Sequence, residues 1–151
     1  SLAWTLCLLA RMKKEIEFEA ELNKFLKGSL YPNLFTLHPP LSEKEWEVFQ
    51  IDAVFGYTAA VAECLLQSHK GKIEILPCLP PSWKNGSVQG IHARGDYVLN
   101  IFWKNGKLAK VEINGKKEDE ILLQYKDIKK HIVFICDKMI LDGNLNMVSD
   151  E

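Results

Sequence analysis

The period of the hydrophobic pattern changes once along this chain, near Gly71, and that change limits the fold more than any other feature. Before it, apolar residues recur at helical spacing. Leu8, Met12 and Ile16 step by four, and Leu22, Phe25 and Leu26 continue a drifting face. Arg11, Lys14, Glu15, Glu19 and Glu21 fill the opposite side. That pattern predicts one amphipathic helix from Ala3 to Lys27, stopped by Gly28 and Ser29. A second helix is expected after Gly56, with Tyr57, Val61 and Leu65 on one face, ending near Ser68. After Gly71 the period falls to two in Lys72–Pro77, Tyr97–Trp103 and Leu108–Asn114. Asn105-Gly106 and Asn114-Gly115 are hairpin dipeptides, because Asn and Gly tolerate the positive φ that tight hairpins need. Ile121–Tyr125 and His131–Cys136 add two further strand candidates. The pattern therefore predicts an α+β chain. Residues 1–70 are helical, 71–136 form a small antiparallel β-domain, and 137–151 form a flexible tail.

A chain of 151 residues is long enough to bury a core, hiding roughly two-thirds of the surface its unfolded form exposes. Charge then excludes some partners. Lys and Arg number 19 against 20 for Asp and Glu, so the basic excess of a general nucleic-acid binder is missing. No apolar run reaches the ~18 residues of a membrane-crossing helix, so no membrane partner is expected. Cys7, Cys64, Cys78 and Cys136 are widely spaced, without a CxxC pair. They read as reduced, buried thiols rather than a zinc site or a disulfide framework. Unpaired thiols lean toward a reducing, cytoplasmic compartment, although the sequence leaves the compartment open. The chain opens on Ser1 with residues that already look like helix interior and carries no signal-peptide pattern. A fragment or a processed chain is the expectation.

Few residues announce chemistry. The chain has no GxSxG, P-loop, HExxH or GxGxxG, and His69, His92 and His131 lie at unrelated spacings, so neither a cofactor nor a metal is expected. Asp52 is the polar residue that stands out, inside the apolar stretch Val48–Gly56. Such a carboxylate is a helix cap, a buried ion-pair partner or a functional group, either a general base or a ligand to a substrate hydroxyl. His38, next to the rigid Pro39-Pro40, is the second candidate, either structural or held toward a pocket. Trp4 either stacks on a sugar face or, more commonly for a single Trp, packs the helix. Tyr97, Phe102 and Trp103 are expected in the β-domain core.

Several motifs occur in an order that resembles one family. NLFTLHPP (Asn33–Pro40), FQIDAVFG (Phe49–Gly56) and AECLLQSH (Ala62–His69) are followed by IEILPCLP (Ile73–Pro80) and WKNGSVQGIHARGD (Trp83–Asp96). With the opening SLAWTLCLLARM, these resemble the C-terminal part of glycoside hydrolase family 95, the fucosidase-A-type α-L-fucosidases. The resemblance covers about residues 1–115. It implies the last helices of an (α/α)6 catalytic barrel followed by a trailing β-domain. It also implies inverting hydrolysis of terminal α-L-fucosides or related α-L-galactosides. The substrate partner is then a fucosylated oligosaccharide or glycan. On the family pattern the QID aspartate is the general base, which places that role on Asp52. The HPP histidine falls on His38, as a residue that shapes or contacts the substrate pocket. The family's acid Glu and assisting Asn residues match nothing here. The pattern also departs from the family at Thr36, at Val54 (Asn in the family), at Thr5, and by the insertion Ser42–Val48.

These features imply a C-terminal portion that is inactive as an isolated chain. A non-catalytic carbohydrate-binding or structural interaction module, left from a decayed fucosidase, is the alternative. Missing barrel neighbours would leave Leu8, Leu9, Met12, Leu65 and Leu66 incompletely covered.

Overall fold

A computed structural model describes residues 2–38 and 47–148. Three helices come first: α1 (Leu2–Met12), α2 (Glu15–Gly28) and α3 (Ile51–Leu65). Two short strands, β1 (Leu37–His38) and β2 (Val48–Phe49), pair antiparallel just ahead of α3. Eight strands follow: β3 (Leu66–Gln67), β4 (Ile73–Ile75), β5 (Gly86–Ala93), β6 (Tyr97–Lys104), β7 (Lys107–Asn114), β8 (Glu120–Tyr125), β9 (Ile128–Val133) and β10 (Lys138–Asp142). They form two four-stranded sheets, in the orders β10-β7-β6-β5 and β3-β4-β8-β9. The α+β class read from the sequence is what the chain adopts.

The expected first helix is two helices. The chain turns at Lys13, whose φ of 58° lies in the left-handed region. Lys14 N–H still bonds the Leu9 carbonyl at 3.0 Å, which closes α1 before α2 begins. The turn changes which face is buried. Ala3, Leu6 and Ala10 pack inward from α1, and Phe18, Leu22 and Phe25 from α2. Leu8, Met12 and Ile16, the expected inner face, are exposed instead. Small residues at Ala3 and Ala10 let α3 approach closely, and Ala53, Ala60 and Cys64 answer from its side. A Cβ on Gly56 would sit 3.0 Å from that of Ala3, so the glycine helps set this close approach.

The two sheets share one core. Leu99, Ile101, Val111 and Ile113 come from the first sheet, and Ile75, Leu123 and Tyr125 from the second. Burial alternates along β6, as its period of two predicts. Asn105 and Gly106, at φ of 52° and 69°, close the β6–β7 hairpin as expected. Asn114-Gly115 does not make a hairpin. After it the chain crosses to the other sheet, because β7 already has β6 and β10 as neighbours. Gly115 sits against the Phe134 and Tyr97 rings, which approach an added Cβ to 2.8 and 3.0 Å. The meander is therefore incomplete, and β4 pairs with β8 in parallel. The region read as a tail contributes β10, which pairs with β7 over five residues, and the fully buried Leu145. Tyr97 and Trp103 are core residues; Phe102 is half-buried beneath the Lys110 ammonium, 4.7 Å from its ring centre.

Polar side chains tie the helices to the sheets. Gln67 donates from Nε2 to the Ala10 and Glu63 carbonyls, both at 3.0 Å. Glu74, 5% exposed, is bound by Lys13 and Lys72. Burial opposes its ionisation, but the two ammonium groups outweigh burial and hold its carboxyl below the usual range. Lys13, the residue at the helix break, thus reaches across to β4.

Candidate active site

The first turn of α3 carries the sequence candidate Asp52. Gln50 is the N-cap residue, with extended backbone, and Asp52 lies two positions into the helix. Asp52 is therefore neither the cap nor a buried ion-pair partner; its residue is exposed. A carboxylate in a first turn suits the positive end of the helix dipole. The turn is fixed from behind by Thr36. Gln50 N–H bonds the Thr36 carbonyl at 3.0 Å, and the Thr36 hydroxyl donates to the Gln50 carbonyl. Thr36 is 1% exposed, so this reciprocal pair is shielded from water. The β1–β2 pairing sets His38 opposite Val48, two residues before Gln50. The sequence segments that hold the two candidates are thus joined by strand pairing and by the Thr36–Gln50 bonds.

His38 and the start of α3 share a cleft of about 250 Å³, with Gln50, Ala53, Ser29 and Leu2 among its walls. His38 itself is half-buried. Of the sequence departures, Thr36 has the structural role just described, Thr5 is exposed, and Val54 is half-buried on α3. Pro39–Trp46, with most of the Ser42–Val48 insertion, lie outside the described residues. Trp4 does not pack the helix interior; it is 67% exposed. Leu8, Met12, Phe49, Ile51 and Phe55 are exposed apolar side chains as well. Leu65 and Leu66, expected to be uncovered, are each 6% exposed, because they pack into the core of the sheets.

A second cleft lies where the helices meet the sheets, and sequence spacing gave no sign of it. His69 and His92 come together there beside Arg11, Glu63 and Arg94. Arg11 holds Glu63 in a forked pair at 3.1 and 2.8 Å. Burial, followed by the nearby Arg11 guanidinium, lowers the His69 pKa, and His69 Nδ1 is buried without a hydrogen-bond partner. Among the described residues, no three His, Cys, Asp or Glu side chains converge as a metal site. Among the same residues, no helix is long and apolar enough to cross a membrane.

Three helices, the third with an exposed carboxylate in its first turn, are followed by two packed sheets. Family comparison gives this arrangement its class. The model of the glycosyl hydrolase family 95 catalytic domain matches residues 1–65, and that of the glycoside hydrolase family 95 C-terminal domain matches residues 67–141. This chain belongs to glycoside hydrolase family 95. The second match extends past residue 115, where the motif resemblance stops, and takes in β8, β9 and most of β10. Among curated proteins, the chain is 48% identical to alpha-L-fucosidase 2 of Arabidopsis thaliana over 84 residues, 55% of this chain and 9% of that protein. It is 25% identical to the probable alpha-fucosidase A of Aspergillus niger over 133 residues, 77% of this chain and 16% of that protein. It thus spans less than a fifth of either relative.

Proposed function

We propose that this chain forms the C-terminal portion of an inverting glycosidase acting on terminal α-L-fucosides or related α-L-galactosides. The observation that supports this reading best is the order of the two family matches, which meet at the end of α3. Asp52, exposed in the first turn of α3 and matching the family's QID position, is the proposed general base. In an inverting reaction this carboxylate takes a proton from water as the water attacks the anomeric carbon. An acid on the opposite side protonates the departing glycosidic oxygen, the two carboxyl groups ~6.5–9.5 Å apart. Asp52 suits the base role because its carboxylate is open to water and held on a helix end whose backbone is pinned by Thr36. His38, walling the cleft at the base of that turn, is proposed to contact the sugar. The fucosylated glycan is the proposed substrate.

The 151 residues alone offer no counterpart of the family's acid. Without leaving-group protonation, one arm of acid–base catalysis, typically worth ~10²–10⁴-fold, is missing. The isolated chain is therefore expected to hydrolyse no fucoside. Incubation with an aryl α-L-fucoside tests this, beside a hybrid in which the chain replaces the equivalent end of an active family member. The hybrid is expected to release the phenol and the isolated chain to match a heat-killed control. Turnover by the isolated chain would overturn the reading, and so would a folded hybrid without activity.

A further inference from the structure

Cys64 and Cys78 are far apart in sequence and adjacent in the fold. Cys64 lies in the last turn of α3, and Cys78 follows β4 on the way into the β5 sheet. Both are 0% exposed. Their backbones run side by side. Leu76 N–H bonds the Leu65 carbonyl at 2.9 Å, and Cys78 N–H bonds the Cys64 carbonyl at 3.2 Å. With standard bond lengths, that second bond caps the separation of the two Cα atoms at about 7 Å, the upper edge of the disulfide range. The side chains converge as well. The neighbouring Cys78 and burial raise the Cys64 thiol, and the neighbouring Cys64 lowers that of Cys78, whose Sγ donates to the Leu9 carbonyl at 3.9 Å. The other two cysteines are engaged elsewhere. Cys7 Sγ donates to the Gly56 carbonyl at 3.3 Å, and the exposed Cys136 Sγ donates to the Lys138 carbonyl at 2.9 Å.

We propose that Cys64 and Cys78 are the site of a disulfide that fastens the end of α3 to the strand segment leading into the β-domain. The oxidant is a small-molecule disulfide such as oxidised glutathione. Cys78, whose thiol is lowered where that of Cys64 is raised, ionises more readily and attacks first. Its thiolate displaces one glutathione thiolate and forms a mixed disulfide. The Cys64 thiolate then attacks the Cys78 sulfur and displaces the second glutathione. Two protein thiols lose two electrons and two protons, and one glutathione disulfide becomes two glutathione thiols. The reaction takes place while the chain is folding or while the junction opens locally. β3, which continues directly from α3, is an edge strand, so that opening breaks pairing on one side only. Closing the bond encloses residues 65–77, which include all of β3 and β4, and ties the end of α3 to the segment after β4 within the helical core that holds both cysteines.

The test uses the full chain, unfolded in urea and refolded in mixed reduced and oxidised glutathione. Free thiols are then alkylated and the chain is digested with trypsin. Cleavage after Lys70 and Lys72 separates the two cysteines, so the disulfide appears as two peptides that part only on reduction. The expected map links Cys64 to Cys78, with Cys136 alkylated or carrying glutathione. The oxidised chain is expected to melt roughly 5–10 °C above the reduced chain, the scale for a loop of this length. Recovery of Cys64 and Cys78 as free alkylated thiols would overturn the proposal, as would either one paired with Cys7 or Cys136. Equal melting of the two forms would remove its role in holding the junction.

Discussion

Glu112 sits at the centre of the first sheet and collects partners from three strands, so Glu112→Gln is expected to cost stability in a strongly pH-dependent way. Its Oε1 accepts from Lys110 at 2.7 Å, and its Oε2 accepts from Asn100 Nδ2 at 3.1 Å and lies 3.4 Å from Lys138 Nζ. The Glu112 side chain is only 15% exposed. The bonds from Lys110 and Asn100 hold its carboxyl at about 2, against an ordinary value of 4.5. A difference of that size corresponds to a ceiling of about 3 kcal/mol. Both lysines are nearly half exposed, and solvent screening reduces the expected figure to about 1–2 kcal/mol. The folded pKa is depressed, so the contribution is complete above about pH 4.5 and is lost as pH falls through about 2. At pH 3 less than half is left. Urea unfolding of both proteins at pH 7 and pH 3 measures the gap. It is expected to be about 1–2 kcal/mol at pH 7 and to shrink by at least half at pH 3. An equal gap at both values, or none at pH 7, would show that the carboxylate is not stabilised by these partners.

Other consequences follow from packing and from the departures at the site. Gly143→Ala places a Cβ 2.3 Å from the Leu108 carbonyl oxygen, where backbone cannot yield, so a loss of about 1–3 kcal/mol is expected in the same unfolding assay. The exposed apolar side chains of Trp4, Leu8, Met12 and Phe55 are expected to make the isolated chain associate and bind a hydrophobic dye. A monodisperse, dye-free monomer by light scattering would contradict that. In the hybrid enzyme, Val54→Asn restores a hydrogen-bonding side chain beside Asp52 and is expected to raise kcat. Unchanged kcat in this variant would show that position 54 takes no part in the chemistry.

Much of this architecture is written locally. The change of period at Gly71 separates helices from sheets, and Asn105-Gly106 marks its hairpin because the turn needs two positive-φ residues in succession. What depends on distant neighbours was not legible. The break at Lys13 carries no glycine or proline, and the drifting apolar pattern runs straight through it. The inner face of α1 is set by alanines, whose burial follows from close helix approach rather than from hydrophobic weight. β5 is polar and mostly exposed, and its register shifts between Val88 and Ile91 around Gly90, so alternation is lost there. Cys136 is exposed whereas Cys64 and Cys78 are fully buried, a difference that tertiary position alone decides. At the candidate site the motif order pointed to Asp52 and His38. The Thr36 clamp that fixes the helix start emerges only when β1 and β2 pair. The meeting of His69 with His92 likewise depends on β5 lying beside the end of α3.

Asp52→Asn in the hybrid enzyme, with kcat and KM measured on an aryl α-L-fucoside, tests the central claim most directly. The amide keeps the shape of the carboxylate and its place in the first turn of α3, but it accepts no proton at neutral pH. A base is typically worth ~10²–10⁴-fold. The proposed role therefore predicts a kcat loss in that range with KM nearly unchanged, because the interaction is made in the transition state. A kcat loss below about tenfold, or a change confined to KM, would contradict Asp52 as the base.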